Sequence, residues 1–205
     1  MGFLLSYDRF SSAGEVVRIH QEDLCQALGY LPDKKYAEDG GPGASEVLSL
    51  LKGTGLDAAG NIKGFIDQLF FNYLTGSPDA HAKNYSLLLS ENRQVLAPMY
   101  DVASNLPYVG RPFDIKLAMG VSGQNKVCRL TPQRLEKFSE SNGLGDWGIG
   151  KGSLVERLDA MTSIIPGEMA AVAREFRDIP GMDELSGRLV PLVSELCAKS
   201  RERLA

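Results

Sequence analysis

Ile62, Phe65, Ile66, Leu69, Phe70, Tyr73 and Leu74 recur at i, i+3, i+4 and i+7 until the chain meets Gly76. That spacing gathers the large apolar side chains on one face, so it predicts a buried helix closed by a glycine. A helix of this kind is rigid. It delivers the next stretch, Ser77-Pro-Asp-Ala-His-Ala-Lys-Asn84, with little conformational freedom, which is what a reactive loop requires.

Within that loop Asp79 and Asn84 are five residues apart, and Asp101 follows a second short apolar run. A catalytic loop for phosphoryl transfer spaces its base and a metal ligand in this way. Such chemistry asks the protein to hold metal ions on nucleotide phosphates and to orient a hydroxyl. Magnesium takes hard oxygen ligands and commonly only one or two carboxylates. On this reading Asn84 and Asp101 are the metal ligands, Asp79 takes the hydroxyl proton, and Lys83 is a point charge for phosphate. The same Asp and Asn also suit plain turn chemistry, because both side chains cap and bend backbone.

The chain has 205 residues, 43% hydrophobic and 23% charged, enough to bury a core. Its net charge of −4 and pI near 5.3 give no basic footprint for nucleic acid or anionic membrane. No apolar run approaches the roughly 20 residues of a spanning helix, and no signal peptide opens the sequence, so the expected location is the cytoplasm. Cys25, Cys128 and Cys197 have no C-x-x-C spacing and are expected to be small buried hydrophobes. Two histidines, His20 and His81, do not suggest a histidine-built metal site.

Phe3 to Tyr7 predicts a strand, Asp8 to Gly14 a turn, and Glu15 to Ile19 the returning strand. Gln21 to Leu28, acidic at its start and closed by Gly29, predicts a short helix. Lys34 to Gly43 is rich in glycine but matches no phosphate-binding pattern, and Pro42 removes an amide donor, so it reads as a loop that shapes a surface. Ala44 to Leu51 predicts a helix. Tyr85 to Leu89 and Gln94 to Ala97 predict a hairpin that would set Asp101 beside Asn84, and Asp114 to Gly120 an extended segment with Asp114 and Lys116 on one face.

The remainder reads as helical. A helix begins at Thr131-Pro132 with Leu135 and Phe138 inward, and a glycine-rich linker covers Gly143 to Gly152. One or two helices over Leu154 to Arg177 are expected to break near Pro166, and a last helix over Met182 to Leu204 to be disturbed at Pro191. The fold class is mainly α with small β hairpins, an α+β arrangement.

Taken together, Gln21-Glu-Asp-Leu-Cys-Gln26, Lys35-Tyr-Ala-Glu-Asp-Gly-Gly-Pro-Gly43, Asp79-Ala-His-Ala-Lys-Asn84, Tyr100-Asp101 and Asp114-Ile-Lys-Leu-Ala-Met-Gly120 resemble the C-terminal domain of HipA-like serine/threonine kinases, the toxins of bacterial toxin–antitoxin pairs. The resemblance runs in order from about Leu5 to at least Gly120. It implies a protein-kinase-like C-lobe with a C-terminal helical bundle: hinge and hairpin over 1–20, catalytic core over 21–120, bundle over 121–205. It implies Asp79 as catalytic aspartate with Lys83 meeting phosphate, and Asn84 and Asp101 as magnesium ligands. Tyr7, Asp8, His81, Asn84 and Asp101 would contact the nucleotide, with Tyr7 at the adenine. Gln21 to Asp23 and Lys35 to Gly43 would shape the acceptor side. ATP and Mg2+ are the implied cofactors, and a protein hydroxyl and a helix-turn-helix antitoxin the implied partners.

The sequence departs from the kinase pattern in three ways. No glycine-rich loop or strand lysine precedes the hinge, no His-Arg precedes Asp79, and no Phe-Gly follows Asp101. The expectation is a C-lobe without its N-lobe, inactive unless a separate N-lobe polypeptide completes it, with Phe3 to Tyr7 exposed enough for weak self-association. The alternatives are a non-catalytic module that grips an antitoxin or acceptor protein, and a small-molecule phosphotransferase, against which the Lys35 to Gly43 match argues.

Overall fold

The computed structural model describes residues 7–12 and 14–205. Except for Tyr7, the expected strand over Phe3 to Tyr7 lies outside the described residues. The chain divides into two compact units, Met1–Ile66 with His81–Asp101, and Asp67–Ala80 with Val102–Ala205. Helix α3 (Ala58–Thr75) contributes its first half to one and its second half to the other. The mixture of helices with small antiparallel sheets is the α+β class expected from the sequence.

In the first unit β1 (Arg9–Ser12) and β2 (Glu15–Arg18) pair antiparallel from Arg9↔Arg18 to Ser12↔Glu15. The turn is therefore tighter than Asp8 to Gly14, and its first half is strand. The hairpin base is closed by Ile19 N donating to Asp8 O at 2.7 Å and Arg18 Nε to Asp8 Oδ2 at 3.1 Å.

A three-stranded sheet follows, ordered β3 (His20–Asp23), β4 (Ser86–Ser90), β5 (Arg93–Leu96), all antiparallel. The helix expected over Gln21 to Leu28 is thus half strand. Asp23 accepts from Gln26 N at 2.9 Å while Gln26 Oε1 accepts from Asp23 N at 3.0 Å, a capping box. The acid that looked like first-turn charge is the cap, and α1 covers only Leu24–Ala27. Helix α2 (Ala44–Lys52) buries Ala44, Val47, Leu48 and Leu51, and Glu46 reaches back to accept from Gly43 N at 3.1 Å. Ile62, Phe65 and Ile66 of α3 are fully buried.

The free edge of β5 is clasped by side chains. Asp57 accepts both Arg93 Nε (2.7 Å) and Gln94 N (3.0 Å), while Asn61 accepts from Leu96 N (2.8 Å) and donates to Gln94 O (2.6 Å). These bonds occupy the donors and acceptor that an additional strand would otherwise use.

In the second unit α3 ends at Gly76, in the left-handed conformation at φ +62°, where an added Cβ would lie 2.7 Å from Leu106 Cγ. The hairpin of β6 (Lys116–Val121) and β7 (Gln124–Lys126) turns at Ser122 and Gly123, both at positive φ, as the favoured two-residue turn demands. Tyr73 donates to Gln124 O and accepts from Val121 N at 3.2 Å, pinning the hairpin to the end of α3. Asp114 pairs with Lys126 at 3.8 Å.

Helix α4 (Pro132–Ser141) begins where the sequence indicates, with Thr131 as cap and Leu135 and Phe138 buried. The glycine-rich linker contains a short 3-10 turn over Leu144–Trp147. The expected break at Pro166 does not occur: α5 runs unbroken over Lys151–Glu175, and α6 over Met182–Glu202 carries Pro191 inside. Each proline forfeits one helical hydrogen bond, but the two helices pack on each other, with Arg201 Nε bonded to Asp159 Oδ1 at 2.8 Å, and packing overrides local propensity. Among the described residues no helix is long and apolar enough to cross a membrane.

Phe65→Ala removes a fully buried ring and is expected to cost about 3–5 kcal/mol of stability in urea unfolding, whereas Leu56→Ala, at a side chain 96% exposed, is expected to change it by less than about 0.5. Burial raises the Cys128 thiol to about 11 and the Cys197 thiol to about 12. Unfolding lets both ionise near the ordinary thiol value of 9, so their contribution is complete below pH 9 and declines as pH rises through the folded values. Unfolding free energy is expected to fall by on the order of 1 kcal/mol per thiol by about pH 10. A smaller decline in Cys197→Ala, measured against its own value at pH 8, checks the assignment.

Candidate functional site

The loop after Gly76 is held by its own backbone. Ser77 N donates to Asn72 O at 3.0 Å, and Pro78 O accepts from Ala118 N at 2.9 Å. Asp79 follows in the second unit with its side chain exposed. The other site residues expected from the sequence, Tyr7, Asp8, His81, Lys83, Asn84 and Asp101, fall in the first unit.

His81 opens a 3-10 turn over Ala82–Asn84, closed by Asn84 N donating to His81 O at 2.9 Å. Its buried ring meets Tyr36 edge-on at 5.1 Å. Ala82 N donates to Lys35 O at 3.4 Å, so the Lys34 to Gly43 loop packs directly on this turn. Lys83 is half-buried, close enough for its charge to oppose the burial that raises the Cys25 thiol. Asn84 is 8% exposed.

Asp101 is exposed and stands at φ +54°, in the left-handed region that few non-glycine residues enter and that aspartate enters more readily than most. Among the described residues its carboxylate makes no ion pair or hydrogen bond. Tyr100, just before it, is half-buried, with its hydroxyl 2.7 Å from Lys83 O and 2.6 Å from Ser86 Oγ. Burial pushes that phenol up to about 12. The Tyr100 ring stacks on Tyr7 at 5.3 Å with an interplanar angle of 19°.

Burial likewise raises the Tyr7 phenol, with the Asp8 charge adding to it and hydrogen bonds from Gln21, Ser86 and Tyr100 opposing. Asp8 itself is buried and engaged by Arg18. Beside it Arg18, Ile19, His20 and Gln21 line a cavity of about 380 Å³, and Gln21 Oε1 is buried with no hydrogen-bond partner among the described residues.

A metal ion fits this donor set in kind. Asn84 and Asp101, both in the first unit, are oxygen donors of the kind magnesium takes, with water and phosphate oxygens for its remaining positions. Among the described residues no group of three or more His, Cys, Asp or Glu forms an all-protein cage.

Residues 3–173 match the family described as the HipA-like C-terminal domain. The chain belongs to that family. Within it, the HipA-like chain is 31% identical over 196 residues to a Sinorhizobium fredii protein, Y4mE, provisionally named a kinase, covering 95% of this chain and 44% of that one. It is 28% identical over 191 residues to the serine/threonine-protein kinase toxin HipA of Shewanella oneidensis, covering 87% and 42%. The Shewanella oneidensis HipA structure, solved with HipB and operator DNA, superposes with a TM-score of 0.72 at 26% identity over 97% of this chain and 47% of that one. The chain thus spans less than half the length of these relatives.

Two site residues were missed in the sequence. Tyr100 carries no motif role of its own in the sequence beyond its place beside Asp101. Gln21, expected on the acceptor side, has its side chain against Tyr7 and lines the cavity. Because the new strand β3 alternates faces, Gln21 and Glu22 point to opposite sides, which a helical reading conceals.

The Lys34 to Gly43 loop depends on Gly41, where an added Cβ would lie 2.8 Å from Tyr36 O and closer still to Lys34 O. Both neighbours are backbone, so Gly41→Ala is expected to cost about 1–3 kcal/mol. Hydrogen exchange should show faster opening at Ala82, whose amide bonds to Lys35 O.

Proposed function

We infer that this HipA-like domain is the C-lobe of a protein serine/threonine kinase of the toxin type, transferring the γ-phosphoryl group of ATP to a protein hydroxyl. The observation that carries the reading is Asp101, an exposed carboxylate with no ion pair or hydrogen bond among the described residues, held in left-handed backbone in the same unit as buried Asn84. Strain of that kind persists where function requires the geometry.

In the proposed division of labour Asn84 and Asp101 supply oxygens to Mg2+. When bound, the ion neutralises charge on the phosphate oxygens. Lys83 offers a further positive charge to phosphate, and Asp79 accepts the proton of the attacking hydroxyl. The cavity lined by Arg18, Ile19, His20 and Gln21 has room for part of a purine. The Asp8 carboxylate is occupied by Arg18, which leaves backbone rather than side chain for any contact with nucleotide there. The likeness to HipA in complex with HipB supports an antitoxin partner for this chain also.

Calorimetric titration of Mg·ATP into the 205-residue chain tests the reading. Magnesium-dependent binding is expected, reduced by about 10-fold or more in Asp101→Asn and retained in Asp79→Asn, whose loss is one of proton transfer rather than affinity. Binding indifferent to both magnesium and Asp101→Asn would contradict the metal assignment and favour a non-catalytic protein-binding role.

A further inference from the structure

We propose that Tyr100 is a positioning residue for metal binding, its hydroxyl locking the peptide between Lys83 and Asn84 in register with Asp101. The inference rests on the reading of Asn84 and Asp101 as metal ligands.

The hydrogen-bond chemistry assigns the proton. Lys83 O is a carbonyl and can only accept, so the Tyr100 hydroxyl donates to it at 2.7 Å. The contact to Ser86 Oγ at 2.6 Å must then run the other way, with Ser86 donating. The hydroxyl is therefore used as donor and acceptor at once and has a single orientation.

The carbonyl it holds belongs to the peptide unit whose nitrogen is Asn84 N, and that nitrogen donates to His81 O at 2.9 Å. The backbone entering Asn84 is thus fixed on both sides of one peptide plane. At the other end of the bond, Tyr100 precedes Asp101 directly, and the Asp101 backbone is at φ +54°. A single hydroxyl ties Tyr100 to Lys83, the residues just before the two proposed oxygen donors, Asp101 and Asn84, across a separation of seventeen residues. The ring is held flat against Tyr7 at 5.3 Å, so the hydroxyl cannot swing away without breaking that stack. Residues that orient metal ligands without touching the metal commonly change affinity when removed.

A purely structural hydroxyl would have a different signature, and Ser86 separates the two. Tyr100→Phe keeps the ring and its stack but deletes the bond to Lys83 O. Ser86→Ala deletes the partner hydroxyl and leaves Tyr100 bonded to Lys83 O. Mn2+ binding in the presence of ATP, followed by electron paramagnetic resonance well below the thermal midpoint of each folded variant, reads the difference. Tyr100→Phe is expected to weaken Mn2+ binding about 10-fold while Ser86→Ala stays within about two-fold of the parent. Placing 4-aminophenylalanine at position 100, which restores a donor toward Lys83 O, is expected to recover most of the loss and also serves if the phenylalanine variant does not fold.

Affinity unchanged in Tyr100→Phe, equal losses in both variants, or no recovery with the amine overturns the positioning role. Asp101→Asn keeps the two levels distinct: if it weakens Mn2+ binding and Tyr100→Phe does not, only the positioning role fails. If Asp101→Asn has no effect, the metal assignment fails and the positioning role with it.

Discussion

The edge of β5 is sealed by side chains, and the arrangement of the first unit depends on that seal. Asp57 and Asn61 reach from the start of α3 to take the outward backbone groups of Gln94 and Leu96, and Thr54 Oγ1 accepts the second hydrogen of the Asn61 amide at 2.9 Å. A buried amide that satisfies all its partners fixes geometry more sharply than apolar contact, because slipping by one residue would strand several polar groups at once. The Arg93 guanidinium beside Asp57 holds its carboxyl below the usual range, so the clasp is charged wherever the protein is near neutrality. With β5 fixed on α3, β4 is fixed between β5 and β3, and the segments that lead into it and out of β5 have defined endpoints.

Those segments carry the candidate chemistry of the unit. The Ala82–Asn84 turn enters β4, and Tyr100 and Asp101 leave β5. A rigid hairpin alone would not orient a carboxylate five residues beyond its last strand position. The Tyr100 hydroxyl and its stack on Tyr7 add the constraint that the sheet cannot. The result is an asymmetric pair, Asn84 buried within a closed turn and Asp101 exposed on strained backbone, which combines preorganisation with access to a ligand.

Much of this was legible in the sequence, for reasons that differ by element. The α3 stripe, the Thr131-Pro132 start of α4 and the β4–β5 hairpin are local signals, and periodicity and capping chemistry suffice for them. The β3 strand was not legible because Asp23 signals a helix start wherever it stands, and only pairing with β4 shows that the residues before it are extended. Pro166 and Pro191 misled for a related reason: propensity counts the lost bond, while the mutual packing of α5 and α6 lies far away in the chain. At the site, residue types and spacing pointed to Asn84 and Asp101. They said nothing of the backbone sign at Asp101 or of the hydroxyl beside it, since neither conformation nor a bond across seventeen residues is written in a local motif.

If Asn84 and Asp101 hold a metal on a nucleotide, paramagnetic broadening reads it most directly. In a spectrum of the isotopically labelled chain with ATP, sub-stoichiometric Mn2+ should broaden the amides of Asn84 and Asp101 and the side-chain amide of Asn84 first, with the aromatic signals of Tyr100 close behind. Broadening centred on another group of carboxylates, with these signals left sharp, would contradict the account.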